Sequence, residues 1–204
     1  MYKRDCVKIS KYAEEGSGNF YDVLEFVLCT INMPLSRVIP QRLSIRQEGL
    51  DSKWLSKVKA SGVYYGQTHK DELYDITFNI KSKYGVGLAG SYRAVNHLTQ
   101  IPSIGLVKAG FIAQMCGFNV ACLHRHNVRE FDLDQKVLSL SKGIKPELRL
   151  KKCKTYTRLC QKKGSEYWWD FWCNHVAERG GVNKTLDTGD KVSRYHVDAI
   201  EMKG

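Results

Sequence analysis

Four groups of residues have types and spacing that could do chemistry. The first is Ile101-Pro102-Ser103-Ile104-Gly105-Leu106-Val107-Lys108. An apolar-Pro-x-apolar-Gly turn that restarts a helix at its glycine exposes unpaired backbone N–H groups at a positive helix end, where a phosphate oxygen can sit. Gly105 lets the backbone come close to that phosphate because no Cβ intervenes. Lys108 adds a cation nearby. The same pattern also makes an ordinary helix–helix corner. The second group is a basic run: between Lys142 and Lys163 there are nine Lys/Arg residues against one acid, Glu147. Within it Lys151, Lys154, Arg158 and Lys162 recur at three- and four-residue spacing, so they share one helix face. Such a face could track a phosphate backbone, or simply be solvated.

The third group is Cys122, His124 and His126. These residue types suit zinc, but no second ligand pair follows at a recognisable spacing, so no metal is expected. Packing suits Cys122, pocket lining His124, and structural hydrogen bonding His126 and Asn127. Nearby, Asp132 and Asp134 could supply an acid, although helix capping is the plainer role for Asp134. The fourth group is Tyr167-Trp168-Trp169-Asp170-Phe171-Trp172. Aromatic rings can stack on exposed bases. On a helix, however, Trp168 and Trp172 share one side and Trp169 and Cys173 a neighbouring one, a wide apolar face suited to the core or to a protein partner.

These groups need elements to hold them, and the helical period dominates. Apolar residues at helical spacing mark 19–29, with Asn19 as N-cap, a short helix 51–58 capped by Asp51, and a third at 71–84. Pro34 and Pro40 bound a non-helical connector. A helix–turn–helix spans 88–116, and further helical periodicity covers 134–140, 151–161 and 165–179, with Ser165 as N-cap and Gly180-Gly181 as the stop. No period-2 alternation of useful length occurs. The expected fold class is all-α, with eight to ten short helices forming one domain over 1–183. The polar tail 184–204 is either a last helix or a loosely docked end.

Composition narrows the partners. The 204 residues carry a formal charge of +11, which points to a polyanion such as nucleic acid or an anionic surface. No apolar run approaches the roughly 20 residues of a membrane span. The first residues, Met1 to Cys6, lack the apolar core of a signal peptide, so a cytoplasmic protein is expected, with its seven cysteines as thiols. No Gly-Lys-Ser/Thr phosphate loop or Cys-x-x-Cys pair occurs, and no cofactor is implied.

The segment from Ile101 to His126 resembles the helix-hairpin-helix of the DNA glycosylase superfamily typified by endonuclease III. That family carries Leu-Pro-Gly-Val-Gly, a helix, a Gly-aromatic link, and then Val-Asp-Thr-His-Val or a near variant. Here the counterparts are Ile101 to Gly105, the helix Leu106 to Cys116, Gly117-Phe118, and Cys122-Leu123-His124-Arg125-His126. The resemblance implies a helical glycosylase-like domain that grips the DNA backbone through Ile104, Gly105, Val107 and Lys108. It places His124 at the mouth of a flipped-base pocket, with His126 and Asn127 beside it.

The departures matter as much. The family's catalytic lysine falls on Val107, and Lys108 is one residue, about 100° of helix, away from it. The family's aspartate falls on His124, which cannot supply an anion to a cationic transition state. Ser103 replaces a hairpin glycine, and Cys153, Cys160 and Cys173 do not match the spacing of the family's iron–sulfur loop. Standard glycosylase or lyase chemistry is therefore not expected. DNA binding is, because it needs only backbone amides and the basic helix. Two alternatives are a base-modifying enzyme with altered chemistry, and a phage assembly protein docking through the Tyr167–Trp172 region. A phage-encoded chain would work in the host cytoplasm or the virion.

Overall fold

A computed structural model describes residues 2–141, 143–178 and 186–201. Every regular element among these residues is helical, as the periodicity requires. The α-helices are α1 (Tyr2–Glu14), α2 (Ser17–Cys29), α3 (Val38–Glu48), α4 (Lys57–Thr68), α5 (Lys70–Tyr84), α6 (Leu88–Leu98), α7 (Leu106–Met115), α8 (Arg125–Glu130), α9 (Pro146–Gln161), α10 (Ser165–Glu178) and α11 (Gly189–Glu201). Among the described residues no helix is long and apolar enough to cross a membrane.

Two helices form the centre. In α2, Phe20, Val23, Leu24, Phe26, Val27 and Leu28 are all buried, and in α7 Leu106, Ala109, Phe111, Ile112, Ala113 and Met115 are. A helix apolar nearly all round must be surrounded. Accordingly α2 is packed by α1, α3, α4, α5, α7 and α11, while α7 packs against α1, α2, α6 and α9.

Several boundaries differ from the sequence expectation. Helix α2 begins at Ser17 after Gly16, without a side-chain cap; Asn19 instead donates to Glu15 Oε2 at 3.1 Å. Pro40 does not end a connector but sits inside the first turn of α3, where its missing N–H had no helical partner to lose. Asp51 ends a 3-10 turn and does not cap a helix; α4 starts later, behind Ser56, whose hydroxyl accepts from the Lys59 N–H. The 134–140 segment is a 3-10 turn at Gln135–Leu138, and the Asp134 carboxylate accepts from the Lys136 N–H at 2.9 Å, the capping role expected of it. Gly180-Gly181 and Lys142 lie outside the described residues.

The tail resolves into its first alternative. Helix α11 is part of the core, with Val192, His196, Val197, Ala199 and Ile200 buried. Arg42 ties it to the centre. Its buried guanidinium binds Glu25 Oε2 at 2.7 Å and Asp22 Oδ1 at 2.9 Å, and donates to the Ile200 carbonyl at 3.0 Å and the Ala199 carbonyl. A buried arginine thus both pairs its charge and satisfies the last carbonyls of a helix.

His196 lies among Phe26, Phe111 and Trp169, with ring centroids 5.5, 6.1 and 5.1 Å away, and its Nδ1 donates to the Val192 carbonyl at 2.7 Å. Burial pushes its pKa down to about 4. Between that value and the ordinary 6.5 the unfolded chain binds a proton that the folded chain refuses, so stability is lost as pH falls through this window. Replacing His196 with Leu should flatten the acid limb of a urea-stability profile between pH 6.5 and 4 by up to about one proton per molecule. An identical limb in the variant would show that His196 is not buried as a neutral ring.

Candidate nucleic-acid interface

The turn between α6 and α7 is built from three buried anchors, Ile101, Ile104 and Leu106. Ile104 N–H closes on the Ile101 carbonyl at 3.1 Å, with Pro102 and Ser103 between. Ser103 has φ +71°, so the turn has the left-handed third position of type II. A serine there is strained, and its hydroxyl is held by the Val58 carbonyl at the start of α4. Gly62 lets α4 press this close: a Cβ on it would lie 2.8 Å from the Pro102 carbonyl and 2.7 Å from Leu28. Ser103→Val should cost about 1–3 kcal/mol, because a β-branched residue tolerates a left-handed φ worst and also forfeits the bond to Val58. Chemical denaturation checks this, and an unchanged midpoint would contradict the turn geometry.

Gly105 follows as the N-cap of α7, exposed, at φ −93° and ψ −177°, with no side-chain cap. The first helical bond runs from Ala109 N–H to the Gly105 carbonyl at 2.9 Å, so the Leu106, Val107 and Lys108 amides precede it and have no intrahelical acceptor. A Cβ on Gly105 would meet nothing within 4 Å. The fold therefore does not need glycine here.

The Lys108 side chain corrects the sequence reading. It turns inward, donating to Thr30 Oγ1 at 2.8 Å with its amine 5.8 Å over the Phe111 ring, and burial holds its pKa below the usual lysine range. The reason is local: Lys59 donates to the Cys29 carbonyl at 3.4 Å, so two ammonium groups meet the negative C-terminal end of α2. Lys108 thus contributes a backbone amide to the turn but no external cation. Val107 is half-buried against the core.

Lys151, Lys154 and Arg158 on α9, and Lys162 at its C-cap, are all exposed. The opposite face of that helix buries Cys153, Tyr156, Thr157 and Cys160, so the row points straight outward. None of the four has a carboxylate partner among the described residues, whereas Arg42, Arg46, Lys81 and Lys191 do. Helix α9 lies along α6, with Cys153 reaching Asn96 near the end of α6, at the side of the turn. A groove of about 630 Å³ flanks the same row, bounded by Lys136, Lys145, Lys151, Val137, Ile144 and Leu148, and none of its lining residues is acidic.

The segment entering α8 is pinned from two sides. Tyr156 Oη donates to the Ala121 carbonyl at 2.6 Å and accepts from Leu123 N–H at 3.1 Å, and Gln114 Oε1 accepts from Cys122 N–H at 3.3 Å. Gly110 admits this segment, since a Cβ there would lie 2.5 Å from the Ala121 carbonyl. His124 then becomes the N-cap residue of α8, its ring 5.6 Å from Trp172. Asn127 is fully buried, and neither of its amide atoms has a hydrogen-bond partner among the described residues. The His126 side chain lies outside what is described. Cys122 is a buried thiol whose pKa burial raises, a poor setting for a metal-binding thiolate.

The aromatic helix α10 serves mostly the core. Trp168 and Trp169 are buried, their indole N–H groups donating to the Cys160 carbonyl at 2.8 Å and to Ser193 Oγ at 3.0 Å. Tyr167 stays 39% exposed, and Phe171 and Trp172 are half-buried. All seven cysteines are free thiols. Comparison with family models, curated proteins and solved structures finds no match for this chain.

Proposed function

We propose that this chain binds duplex DNA through the α6–α7 turn and the outer face of α9, without standard glycosylase chemistry. The observation that carries the reading is the row Lys151, Lys154, Arg158 and Lys162, exposed, aligned and without an acidic partner among the described residues. Eleven helical steps from Lys151 to Lys162 place these charges along about 16 Å, a length that can follow several phosphates of one strand. The open Gly105 and the free amides behind it supply a second contact of a different kind, neutral donors at a helix end.

The resemblance to helix-hairpin-helix glycosylases supports the same partner. Ser103 adopts a left-handed conformation at the position where that family has glycine, so the departure in residue type does not entail a departure in turn shape. Val107 and His124 still leave the family's two catalytic positions without an amine or an acid. Fluorescence anisotropy on a labelled duplex tests the proposal. Binding that weakens steeply with salt is expected; absent or salt-insensitive binding rejects it.

A second reading, chemistry on an extruded nucleotide, draws on Asn127. A buried carboxamide with both ends unpaired is costly, and a base edge could satisfy donor and acceptor together. Duplexes bearing damaged or modified thymines, incubated with the protein and digested for nucleoside mass spectrometry, decide it. An unchanged nucleoside profile leaves binding alone.

A further inference from the structure

A third basic feature lies at the corner between α5 and α6, and no sequence motif announces it. The corner is rigid. Gly85 ends α5 at φ +68°, and a Cβ on Gly90 would lie 1.8 Å from the Gly85 carbonyl, so α6 starts hard against that turn. The Val86 carbonyl accepts from Ser91 Oγ at 2.7 Å and from Asn119 N–H at 2.9 Å, locking the link to α6 and to the chain beyond α7.

This corner sets two tyrosines around one arginine. The Arg93 guanidinium lies 4.2 Å from the Tyr84 ring centroid and 4.6 Å from that of Tyr92. Its Nη1 donates to the Ala89 carbonyl at 2.8 Å, folding the side chain back along α6. Two lysines join them, Lys83 at 5.5 Å over Tyr84 and Lys154 at 5.8 Å over Tyr92. Lys83, Arg93 and Lys154 have no carboxylate partner among the described residues, and Tyr84 is 38% exposed. Lys154 also belongs to the α9 row, so the corner continues that surface.

We infer that this corner is a subsite for an unpaired nucleotide adjoining a bound duplex. The inference rests on the DNA-binding reading above. A duplex backbone alone would use the cations and leave the exposed part of the Tyr84 ring unused. An exposed ring beside three unpaired cations matches a ligand that is both aromatic and anionic. The base stacks on Tyr84, and its phosphate meets the guanidinium donors of Arg93 that Ala89 does not occupy. Two ring faces hold that guanidinium in place before the ligand arrives.

The test compares a blunt duplex with the same duplex carrying a four-nucleotide overhang, by anisotropy. The overhang should tighten binding about fivefold or more. Tyr84→Ala and Arg93→Ala should each abolish that gain, Tyr84→Phe should keep it, and blunt-duplex affinity should be unchanged in Tyr84→Ala. An overhang of abasic residues should give no gain. Equal binding of blunt and overhung duplexes overturns the inference, as does a gain that survives Tyr84→Ala or that abasic residues reproduce. If the blunt duplex does not bind at all, the duplex reading fails separately. The single strand of the overhang, tested alone with wild type and Tyr84→Ala, then still decides the subsite.

Discussion

Replacing Gly105 with Trp should lower duplex affinity by on the order of 100-fold while leaving the helical content intact. The estimate assumes one phosphate held by two of the amides at the start of α7, each charge-assisted bond contributing about 1.5 kcal/mol. The variant separates fold from function because the site is open. A Cβ at Gly105 meets nothing within 4 Å, and φ −93° suits any residue. The cost to the fold should be about 1 kcal/mol or less, the loss of a glycine N-cap. Circular dichroism with equilibrium binding measures both. Unchanged affinity would show that no phosphate approaches this helix end.

Replacing Lys151, Lys154, Arg158 and Lys162 together with Ala should have an effect of similar size but different character. Four phosphate contacts contribute a slope of about −3.6 to a plot of log affinity against log salt. The quadruple variant should lose that much slope and, at low salt, affinity on the order of 100-fold. The four positions are exposed and Ala favours helix, so α9 should persist. The Gly105 variant, by contrast, should keep most of its slope, because it blocks neutral donors and leaves the cations in place. Parallel salt dependence in wild type and the quadruple variant would mean that the row is merely solvated.

Helical class and the α6–α7 corner were legible because punctuation and periodicity agree there: Pro102 and Gly105 sit between two apolar stripes. Helix α4 was not, because Gly62 and Gly66 interrupt it and glycine ordinarily reads as a break. Their purpose is tertiary, since Cβ atoms on them would crowd Leu28, Pro102 and Leu24. Helix α1 is hard to read for a related reason: among its described residues only Ile9 and Ala13 are buried, and its other core-facing residues, Cys6 and Tyr12, are half-buried and weakly apolar. Sequence leaves the tail open between a last helix and a loosely docked end because much of what holds α11, including Arg42, comes from elsewhere in the chain.

The candidate interface divides in the same way. The α9 row could be read from spacing alone, since a helix converts three- and four-residue intervals into one face. The direction of Lys108 could not, because its partner Thr30 is 78 residues away in sequence. Nor could the Arg93 corner, which pairs adjacent residues of α6 with the last residue of α5 across a turn.

In the proposed complex the duplex lies along the α9 row with one phosphate on the backbone amides at the start of α7. Titrating the ¹⁵N-labelled protein with a short duplex and following its amide resonances tests this most directly. The largest shifts should fall on Leu106, Val107 and Lys108, with smaller ones along α9 that collapse as salt rises. A titration in which the duplex binds but those three amides do not move, or in which no resonance moves, would contradict it.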